Sequence, residues 1–565
     1  MNYKELLIDI LRKRGIEDIG LYQCPTPQDN INPFDFHGMK KGVDLLRKHI
    51  TNKSRIVVVS DCDADGQTSA SIIYQYLKQF DCDMTVLFHL AKAHGLSEDI
   101  DINVLKTVDL VILPDAGTND REQVANLNSN GIDVLIIDHH DILKDKVVEE
   151  NEQTVLINNQ SIKNINTDRE LTGAGMCYKF IEALGDYENM NKILAYASLG
   201  QIGDVSDYSK NGIRWLVFEG IKHMDEIPLV MESAKEIVKY KKSITPIDLG
   251  FGIIPLINAV CRMGTQEDKI MLFNALNDID MSGNVTIETT KLNKRTRKRE
   301  GVTKTISKYE KVISDLQKIK ARQNNHAKKV SKNLDIIENG GIVIGIKKAK
   351  EENCSTTGLV AQQLVTKYDK PALVLEERDG QLTGSARSNS KYIDDFRKWC
   401  ENTRSVNYAE GHSHSFGISI DPSKLNEFKS CSKAIKEQGR GIEIDAVVQP
   451  EEELVDFMDR YRGMFGGVIK KPIFKFENVK ISAFNITISK NGYLQLNYGG
   501  VKFVKFGVKE EEYYNIIQQL ENGYGSFDIV GETNVSCWLG KKIRQVIISS
   551  YTIKPIEDEW NNFDF

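Results

Sequence analysis

Three aspartates lie within five residues, directly after a short apolar run. Asp61, Asp63 and Asp65 belong to the segment DCDADG, which follows RIVVVS and precedes an expected helix. Carboxylates at the C-terminal end of a parallel strand occupy the edge where α/β sheets bind ligands. Three neighbouring carboxylates repel one another, and a bound cation relieves that repulsion. The alternative for this segment alone is an Asp-rich turn that caps a helix. A calcium loop is excluded because Ile72 stands where that loop needs a bidentate glutamate.

Other apolar runs also end in acidic residues or histidine. LVILP is followed by Asp115, VLII by Asp138, His139 and His140, and SLGQIG by Asp204. One aspartate after one buried strand is common, but three strands of one sheet that all deliver Asp or His to the same edge indicate a metal site. Mixed Asp and His ligation without a thiolate suits Mn²⁺ or Mg²⁺ better than structural zinc.

These side chains need a parallel sheet to position them, and the chain has the matching pattern. Short β-branched runs alternate with segments of roughly 10–20 residues, as expected for βαβ units covered by helices. The runs occupy residues 55–60, 84–89, 110–114, 134–137 and 154–157. Two helices and a proline-containing loop are expected before them, and residues 171–264 are expected to be mainly helical.

The remaining chain predicts three further units. Residues 286–333 are interpreted as one long helix or a pair of helices, and residues 291–332 hold 15 Lys and Arg against 3 Asp and Glu. This basic segment is either a solvated linker or a phosphate-contacting face. A second α/β pattern begins at Gly340, with a helix over 358–368 and a strand over 371–375. From Lys471 the alternation of aromatic and β-branched residues predicts a small β-barrel of the OB type.

The bulk composition excludes several classes of protein. The 565 residues are 41% hydrophobic with a mean hydropathy of -0.35, and the sequence scan finds no apolar run long enough to span a membrane. The first 15 residues form an amphipathic pattern rather than a signal peptide. Nine cysteines without a C-x-x-C pair indicate a reducing cytoplasm. The formal net charge of -6 means that nucleic-acid binding must use local patches.

Taken together, the segments over about residues 30–550 resemble the DHH phosphoesterase family, named for the triplet seen here as Asp138-His139-His140. The RecJ-type single-strand exonucleases are the most similar members. The resemblance rests on SDCDADG, PDAG, DHH and GDVSD in this order, with HGL and LTGAGMCYKF between them. Further on, PLINAVCRMG, GSARS, EGH and KPIFKF are similar to later segments of the family.

The resemblance implies an α/β fold with a parallel-sheet DHH domain and a smaller α/β DHH-associated domain joined by a long helix. An OB-like β-barrel follows at the C-terminus. The expected units are an N-terminal helical segment (1–50), the DHH catalytic domain (51–285), a basic connecting helix (286–335), the substrate-binding DHH-associated domain (336–450) and the nucleic-acid-binding domain (451–565).

The resemblance also implies two divalent metal ions, Mn²⁺ with Mg²⁺ as the alternative. In this set Asp115 bridges both ions, and Asp138 orients a histidine. The implied metal ligands are Asp63, Asp65, Asp115, His139 and Asp204. The implied catalytic residues beside them are Asp61, Asp138 and His140. The implied substrate contacts are Arg262, Arg387, Ser388 and His412.

Several positions depart from the family pattern. Ile257 stands where an arginine is usual, and Glu410 and Ala386 each replace a glycine. Ser415-Phe416-Gly417 replaces the small-residue pair that usually follows the histidine. These changes bear on substrate preference more than on reaction type.

The expected function is a single-stranded-DNA-specific 5′–3′ exonuclease that releases 5′-mononucleotides in DNA recombination, repair or replication. The expected protein is a cytoplasmic monomer without a membrane partner, and a single-strand-binding protein or a helicase is its candidate protein partner. Tyr498, Phe503 and Phe506 are candidate base stackers, with core packing as the alternative for most of them. Two other functions stay open. One is a phosphodiesterase for short oligonucleotides or cyclic dinucleotides, or an inorganic pyrophosphatase, and the other is a DNA replication factor without catalysis.

Overall fold

The structure is a computed structural model, and it describes most of the chain. The described residues are 2–90, 93–97, 99–100, 102–166, 168–241, 243–292, 299–347, 356–378, 380–389, 392–435, 442–489, 492–538 and 541–554. Part of the predicted basic segment, residues 293–298, lies outside them.

The helices are numbered in chain order. They are α1 (Tyr3–Lys13), α2 (Ile19–Gln23), α3 (Met39–Thr51), α4 (Ala64–Leu77), α5 (Ile102–Leu105), α6 (Arg121–Ser129), α7 (Gly173–Leu184), α8 (Met190–Gly203), α9 (Asn211–Lys222), α10 (Pro228–Lys241), α11 (Pro246–Phe251), α12 (Ile253–Met263), α13 (Gln266–Leu276), α14 (Lys308–Lys332), α15 (Thr357–Tyr368), α16 (Phe396–Asn402), α17 (Leu425–Ser432), α18 (Glu452–Arg460) and α19 (Glu510–Gln518).

The strands are numbered in the same way. They are β1 (Arg55–Ser60), β2 (Asp83–Phe88), β3 (Leu110–Pro114), β4 (Asp133–Asp138), β5 (Thr154–Asn158), β6 (Asn284–Leu292), β7 (Arg299–Ser307), β8 (Leu334–Asn339), β9 (Ile342–Lys347), β10 (Ala372–Arg378), β11 (Gln381–Arg387), β12 (Tyr408–His412), β13 (Ser415–Ile420), β14 (Ala446–Val447), β15 (Ile473–Ser482), β16 (Ile486–Ile488), β17 (Tyr493–Tyr498), β18 (Val501–Phe506), β19 (Tyr524–Trp538) and β20 (Lys541–Lys554).

The first sheet is parallel throughout, in the order β2-β1-β3-β4-β5. Its central strands are apolar and fully buried, since helices cover both faces of a parallel sheet. Helices α7 to α13 follow it, as the sequence predicted for residues 171–264. The predicted α/β fold is confirmed. In this arrangement β1, β3 and β4 lie side by side, so their C-terminal ends share one edge of the sheet.

The second sheet has the order β12-β13-β11-β10-β9-β8. Strands β9 and β10 are parallel and are joined through α15, as the strand-helix-strand pattern predicted. The remaining pairs in this sheet are antiparallel. Strand β11 ends in Arg387 and β12 ends in His412, so both residues lie at one end of this smaller α/β unit.

The segment before the second sheet differs from the sequence prediction. A helix or helix pair was expected over 286–333, but an antiparallel hairpin of β6 and β7 precedes α14. The physical reason is the composition VTIETT and VTKTIS, in which β-branched residues favour an extended chain. The expectation followed the charge pattern and missed this β propensity. The long connecting helix is therefore α14 alone, and the domain boundaries stay a prediction.

The third sheet has the order β14-β15-β19-β20-β18-β17-β16. Its inner face is lined by apolar and aromatic side chains such as Phe474, Phe476 and Phe503. The predicted β-rich C-terminal unit is therefore confirmed, while its closure into an OB-type barrel stays a prediction. Helix α1 packs into this core through Ile10, and Arg14 forms two hydrogen bonds with Asp445, of 2.6 and 2.9 Å. The two ends of the described chain are thus packed together.

One helical stretch passes a length and hydropathy test for a membrane span. The stretch Pro246–Met263 has a mean hydropathy of 1.3, and 44% of it is buried inside the protein. It is broken between α11 and α12 at Gly252, and a buried core helix passes the same test. The stretch is therefore weak evidence for a membrane.

Candidate active site

The C-terminal edge of the first sheet brings the predicted acidic residues together. Asp61 directly follows β1, Asp63 caps α4, Asp115 follows β3, Asp138 ends β4 and Asp204 caps the C-terminus of α8. One oxygen each of Asp61, Asp63 and Asp115 lies within 4.8 Å of the others. Ligand atoms of Asp115, His139 and His140 form a second group of the same size. We call Asp61, Asp63, Asp65, Asp115, Asp138, His139, His140 and Asp204 the acidic edge. Asp115 is the member common to both groups of ligand atoms.

Asp115 has the features of a ligand that faces a cation. Its Oδ1 atom is buried, has no hydrogen-bond partner among the described residues, and lies 3.2 Å from Nε2 of His139. Burial, and then the neighbouring carboxylates of Asp65 and Asp63, raise the pKa of Asp115 well above its usual range. Its backbone has a φ of 71°, a strained value for a residue other than glycine. A divalent cation would satisfy the buried oxygen and neutralise the repulsion, so the residues present fit a metal site.

His139 is held in the form that can bind a metal. Burial, and then the neighbouring His140, lower the pKa of His139 to about 4, so its ring is neutral at pH 7. Its Nε2 atom lies 3.8 Å from Oδ2 of Asp65 and 4.0 Å from Oδ2 of Asp204. A neutral imidazole nitrogen surrounded by carboxylate oxygens is a metal-ligand arrangement rather than a salt bridge.

Asp65 has a contact that the sequence pattern did not indicate. Its Oδ1 accepts hydrogen bonds from Oγ1 of Thr172 (2.9 Å) and the backbone N–H of Ala174 (3.0 Å). Its Oδ2 accepts from the backbone N–H of Gly173 (2.8 Å). Burial, and then Asp204, raise the pKa of Asp65 to about 7. Asp65 therefore ties α4 to the N-terminus of α7, where backbone N–H groups need acceptors.

Two glycines let helices approach the acidic edge. A side chain at Gly173 would collide with the carboxylate of Asp115, and one at Gly200 would collide with that of Asp65. Both glycines belong to small-residue runs, LTGAG and SLGQIG, at the helix ends that meet the edge. These runs were the available sequence signal for the contact between α7 and Asp65.

Asp138 orients His140 rather than facing the cluster. Its Oδ1 lies 2.8 Å from Nδ1 of His140 and accepts from the backbone N–H of His139, and its Oδ2 accepts from the backbone N–H of Thr118. Burial alone would raise the pKa of Asp138, but the adjacent His140 lowers it well below its usual range. Burial likewise opposes protonation of His140, yet Asp138 raises the pKa of His140 to about 10. His140 is therefore protonated at neutral pH and keeps Nε2 for another partner.

His94 is a site residue that the sequence-predicted set did not include. Its Nδ1 lies 2.6 Å from Oδ2 of Asp61, while the backbone N–H of Gly95 donates to Oδ1 at 3.3 Å. Its side chain is about half exposed, whereas Asp61 is buried. The segment HGL lies between the acidic segments in the sequence, and it was the available signal for this contact.

The second α/β unit faces the acidic edge. Nε2 of His412 lies 3.3 Å from Oδ1 of Asp204, and Glu410 on the same strand pairs with Lys146 at 3.1 Å. The predicted substrate residue His412 therefore reaches the acidic edge directly. The hydroxyl of Ser388, another predicted substrate contact, forms a hydrogen bond with Nδ1 of His414 at 2.7 Å.

Three basic side chains lie close enough to affect one another's pKa values. Burial, and then Arg262, lower the pKa of Arg387 to about 10, and the same two causes lower the pKa of Lys320 on α14. Arg262 has a buried Nε without a hydrogen-bond partner among the described residues. Arg387 lies against Gly358 in the first turn of α15, where a side chain would crowd its guanidinium. We call Arg262, Lys320 and Arg387 the cationic cluster. Like charges gathered at a helix N-terminus form a site for an anion.

Residues 55–203 match the DHH family, N-terminal domain. The chain carries a DHH-family domain. The predicted resemblance to this family is thereby confirmed.

Relatives that align over most of the chain are named exonucleases. The putative SPbeta prophage-derived single-strand DNA-specific exonuclease YorK of Bacillus subtilis is 28% identical over 96% of this chain and 95% of its own length. The single-stranded-DNA-specific exonuclease RecJ of the same organism is 24% identical over 99% of this chain and 69% of its own. RecJ in complex with Mn²⁺ from Thermus thermophilus has a similar fold, with a TM-score of 0.65 at 17% identity over 92% of this chain and 72% of that one.

The departures from the family pattern have visible consequences. Ile257, where the family usually has an arginine, is fully buried in the core and offers no charge to a substrate. Lys320, which the sequence reasoning missed, supplies a cation beside Arg262 from a different helix. Among the candidate stackers, Phe503 is buried in the core, whereas Tyr498 and Phe506 are exposed.

Proposed function

We propose that the chain is a divalent-metal-dependent nuclease that removes 5′-mononucleotides from the 5′ end of single-stranded DNA. One observation carries this proposal: the acidic edge, with its unsatisfied Asp115 oxygen, is contacted by His412 of the second α/β unit, whose Arg387 is part of the cationic cluster. A phosphodiester bound through cations is the ligand that matches both surfaces. The names of the relatives support single-stranded DNA as the substrate class, and the family resemblance supports the polarity.

Two divalent ions are proposed at the acidic edge, Mn²⁺ or Mg²⁺. The proposed ligands are Asp63, Asp65, Asp115, His139 and Asp204, the set that the family resemblance implies. In support of this set, Asp115 belongs to both groups of ligand atoms, and Nε2 of His139 lies within 4.0 Å of carboxylate oxygens of Asp65, Asp115 and Asp204. The oxygens of Asp65 also accept hydrogen bonds from the first turn of α7, and a carboxylate has further lone pairs with which it can face a cation. When bound, the ions supply Lewis-acid stabilisation of the charge that develops on the phosphate oxygens and an activated water.

The protein side chains would then bind and orient the substrate. Arg387 can contact a phosphate through two N–H groups, and Arg262 and Lys320 add positive charge beside it. His412 can donate from Nε2 to a non-bridging phosphate oxygen instead of to Asp204. His140, protonated and fixed by Asp138, can hold a proton at Nε2 close to the reacting phosphate.

The rest of the molecule supports a strand rather than a small substrate. Helix α14 is basic and continues the cationic cluster along the molecule. The exposed Tyr498 and Phe506 on the third sheet offer faces for base stacking. We also propose that the chain works as a cytoplasmic monomer in DNA recombination, repair or replication, with a single-strand-binding protein or helicase as partner.

The test is digestion of single-stranded oligonucleotides labelled at either the 5′ or the 3′ end, with Mn²⁺ and with a chelator. The proposal predicts immediate release of a labelled mononucleotide from the 5′-labelled strand, slow shortening of the 3′-labelled strand, and no reaction with chelator. Efficient cleavage of cyclic dinucleotides or pyrophosphate without strand digestion would assign a small substrate instead. Strand binding without cleavage would indicate a replication factor.

A further inference from the structure

A cavity of about 320 Å³ lies between the DHH-family domain and the C-terminal unit. One wall consists of α10 and α11, with Ile237, Ile247 and Phe251. The other wall consists of α18, the loop after it and β19, with Met458, Phe465 and Asn534. A cavity of this size has room for one nucleobase with its sugar. It is separate from the acidic edge and from the cationic cluster.

Phe251 is the unusual residue of this cavity. It ends α11 and is 86% exposed, although the neighbouring Leu249 and Ile253 are buried. An aromatic ring that lines a cavity but keeps most of its surface in water is an unused stacking face. Every base offers a π-face to such a ring, so the contact does not depend on sequence.

The polar groups around the ring suit a nucleotide. Lys471, whose charge acts on the nearby Glu532, lines the cavity and can contact a phosphate. The amide of Asn534 can pair with a base edge. Asp248, an acid in the same wall, is already paired with Arg462 at 3.3 Å, which reduces its repulsion of a phosphate.

Elements that line the cavity also contact the segment that carries Asp204. Gly250 on α11 packs against Ile202, two residues before Asp204. From the C-terminal unit, Gly467 packs against Ser206, two residues after it. Helix α11 and the loop after α18 therefore lie against both the cavity and the segment around Asp204.

We propose that this cavity binds one base of the single strand, stacked on Phe251, at a position removed from the reacting phosphate. This inference rests on the proposed function, since it names a second contact for the same substrate. The cavity holds the strand and takes no part in hydrolysis. It therefore affects only strands long enough to reach it.

The test compares Phe251→Ala with wild type on oligo(dT) of increasing length in Mn²⁺. For long strands we expect a 5- to 100-fold higher KM, roughly the effect of losing one stacked base, with kcat unchanged. For a dinucleotide we expect no change. Phe34→Ala is the matched control, because it removes an exposed phenyl ring that does not line the cavity.

A binding measurement separates this inference from the proposed function. Phe251→Trp places a fluorophore at the ring position, and stacked oligo(dT) is expected to quench it in chelator, where no hydrolysis occurs. Quenching without any nuclease activity would support the cavity and refute the proposed function. A KM that is equal to wild type at every strand length, with no quenching, would overturn the cavity. An equal loss of affinity in Phe34→Ala would also overturn it.

Discussion

The two sides of the candidate cleft have opposite chemistry. The acidic edge gathers buried carboxylates whose pKa values are raised, as at Asp115, because they repel one another. The cationic cluster gathers basic side chains whose pKa values are lowered, as at Arg387, by burial and by a neighbouring cation. Each side alone is electrostatically unfavourable. A phosphate anion and divalent cations bound together would relieve both, so the two sides are best understood as one site.

The largest expected effect comes from removing the member common to both ligand groups. Asp115→Asn should lower the hydrolysis rate by at least about 10²- to 10³-fold, since one preorganised charge is lost from the site. Initial rates on single-stranded DNA in Mn²⁺ measure this, and circular dichroism checks folding. Asp109→Asn is the control, because Asp109 precedes β3 at the opposite edge of the sheet and bonds to the backbone of Arg55. Equal rates for both variants would remove the acidic edge from the mechanism.

The next largest effect concerns Asp138, the residue that orients the protonated His140. Asp138→Asn should lower the rate by about 10- to 100-fold, the usual cost of losing a partner behind a reactive group. It should also lower the pKa of His140 from about 10 towards the ordinary histidine range, because the carboxylate that raises it is gone. Nuclear magnetic resonance of the His140 ring follows the pKa. An unshifted His140 would show that Asp138 does not control it.

The cationic side should respond through binding. Arg387→Lys keeps the charge but loses the planar pair of donors, so we expect KM to rise by about 10-fold and kcat to change less. Lys320→Gln should raise KM by a smaller factor, since this side chain also donates to Gln323 at 2.8 Å. Steady-state kinetics at several salt concentrations measure both. A loss of kcat at constant KM would indicate that these residues act on the reacting phosphate and not through substrate binding.

The pH dependence of the free energy of unfolding tests the acidic edge without any substrate. At pH 6 the metal-free folded protein keeps a proton on Asp65, whose pKa is about 7, while the unfolded chain has already released it. The folded state therefore binds more protons, and its stability falls as the pH rises from the ordinary aspartate pKa towards 7. We expect the free energy of unfolding in chelator to drop by about 1 kcal/mol between pH 6 and pH 8. Urea unfolding measures it, and Asp65→Asn should flatten the curve.

The smallest effect concerns the contact between the two sides. Glu410→Gly restores the residue usual in the family and breaks an exposed ion pair with Lys146, which is worth at most about 1 kcal/mol. A double-mutant cycle with Lys146→Ala measures the coupling, and we expect a KM change of less than about twofold. A large change in KM would mean that this pair controls closure of the cleft.

The acidic edge was predictable from the sequence because its parts are local. Each of Asp61, Asp115 and Asp138 directly follows an apolar strand, and parallel strands deliver their ends to one edge. The cationic cluster was less accessible, since Arg262, Lys320 and Arg387 come from three elements far apart in the chain. The family resemblance indicated two of them, and no spacing indicated Lys320.

In two other places the sequence pattern was an incomplete guide to the structure. The charge of residues 291–332 predicted helix, but β-branched residues made the first part a hairpin. The D-x-D-x-D spacing could not reveal that α7 brings three hydrogen-bond donors to the carboxylate of Asp65. Such contacts depend on tertiary packing, which single-segment patterns do not contain.

The most direct test of the account is anomalous diffraction from a crystal soaked in Mn²⁺. We predict two manganese peaks beside Asp115, one also contacted by His139 and Asp204 and the other also contacted by Asp63. Peaks that lie away from Asp115, or a cluster that binds no manganese at all, would contradict it.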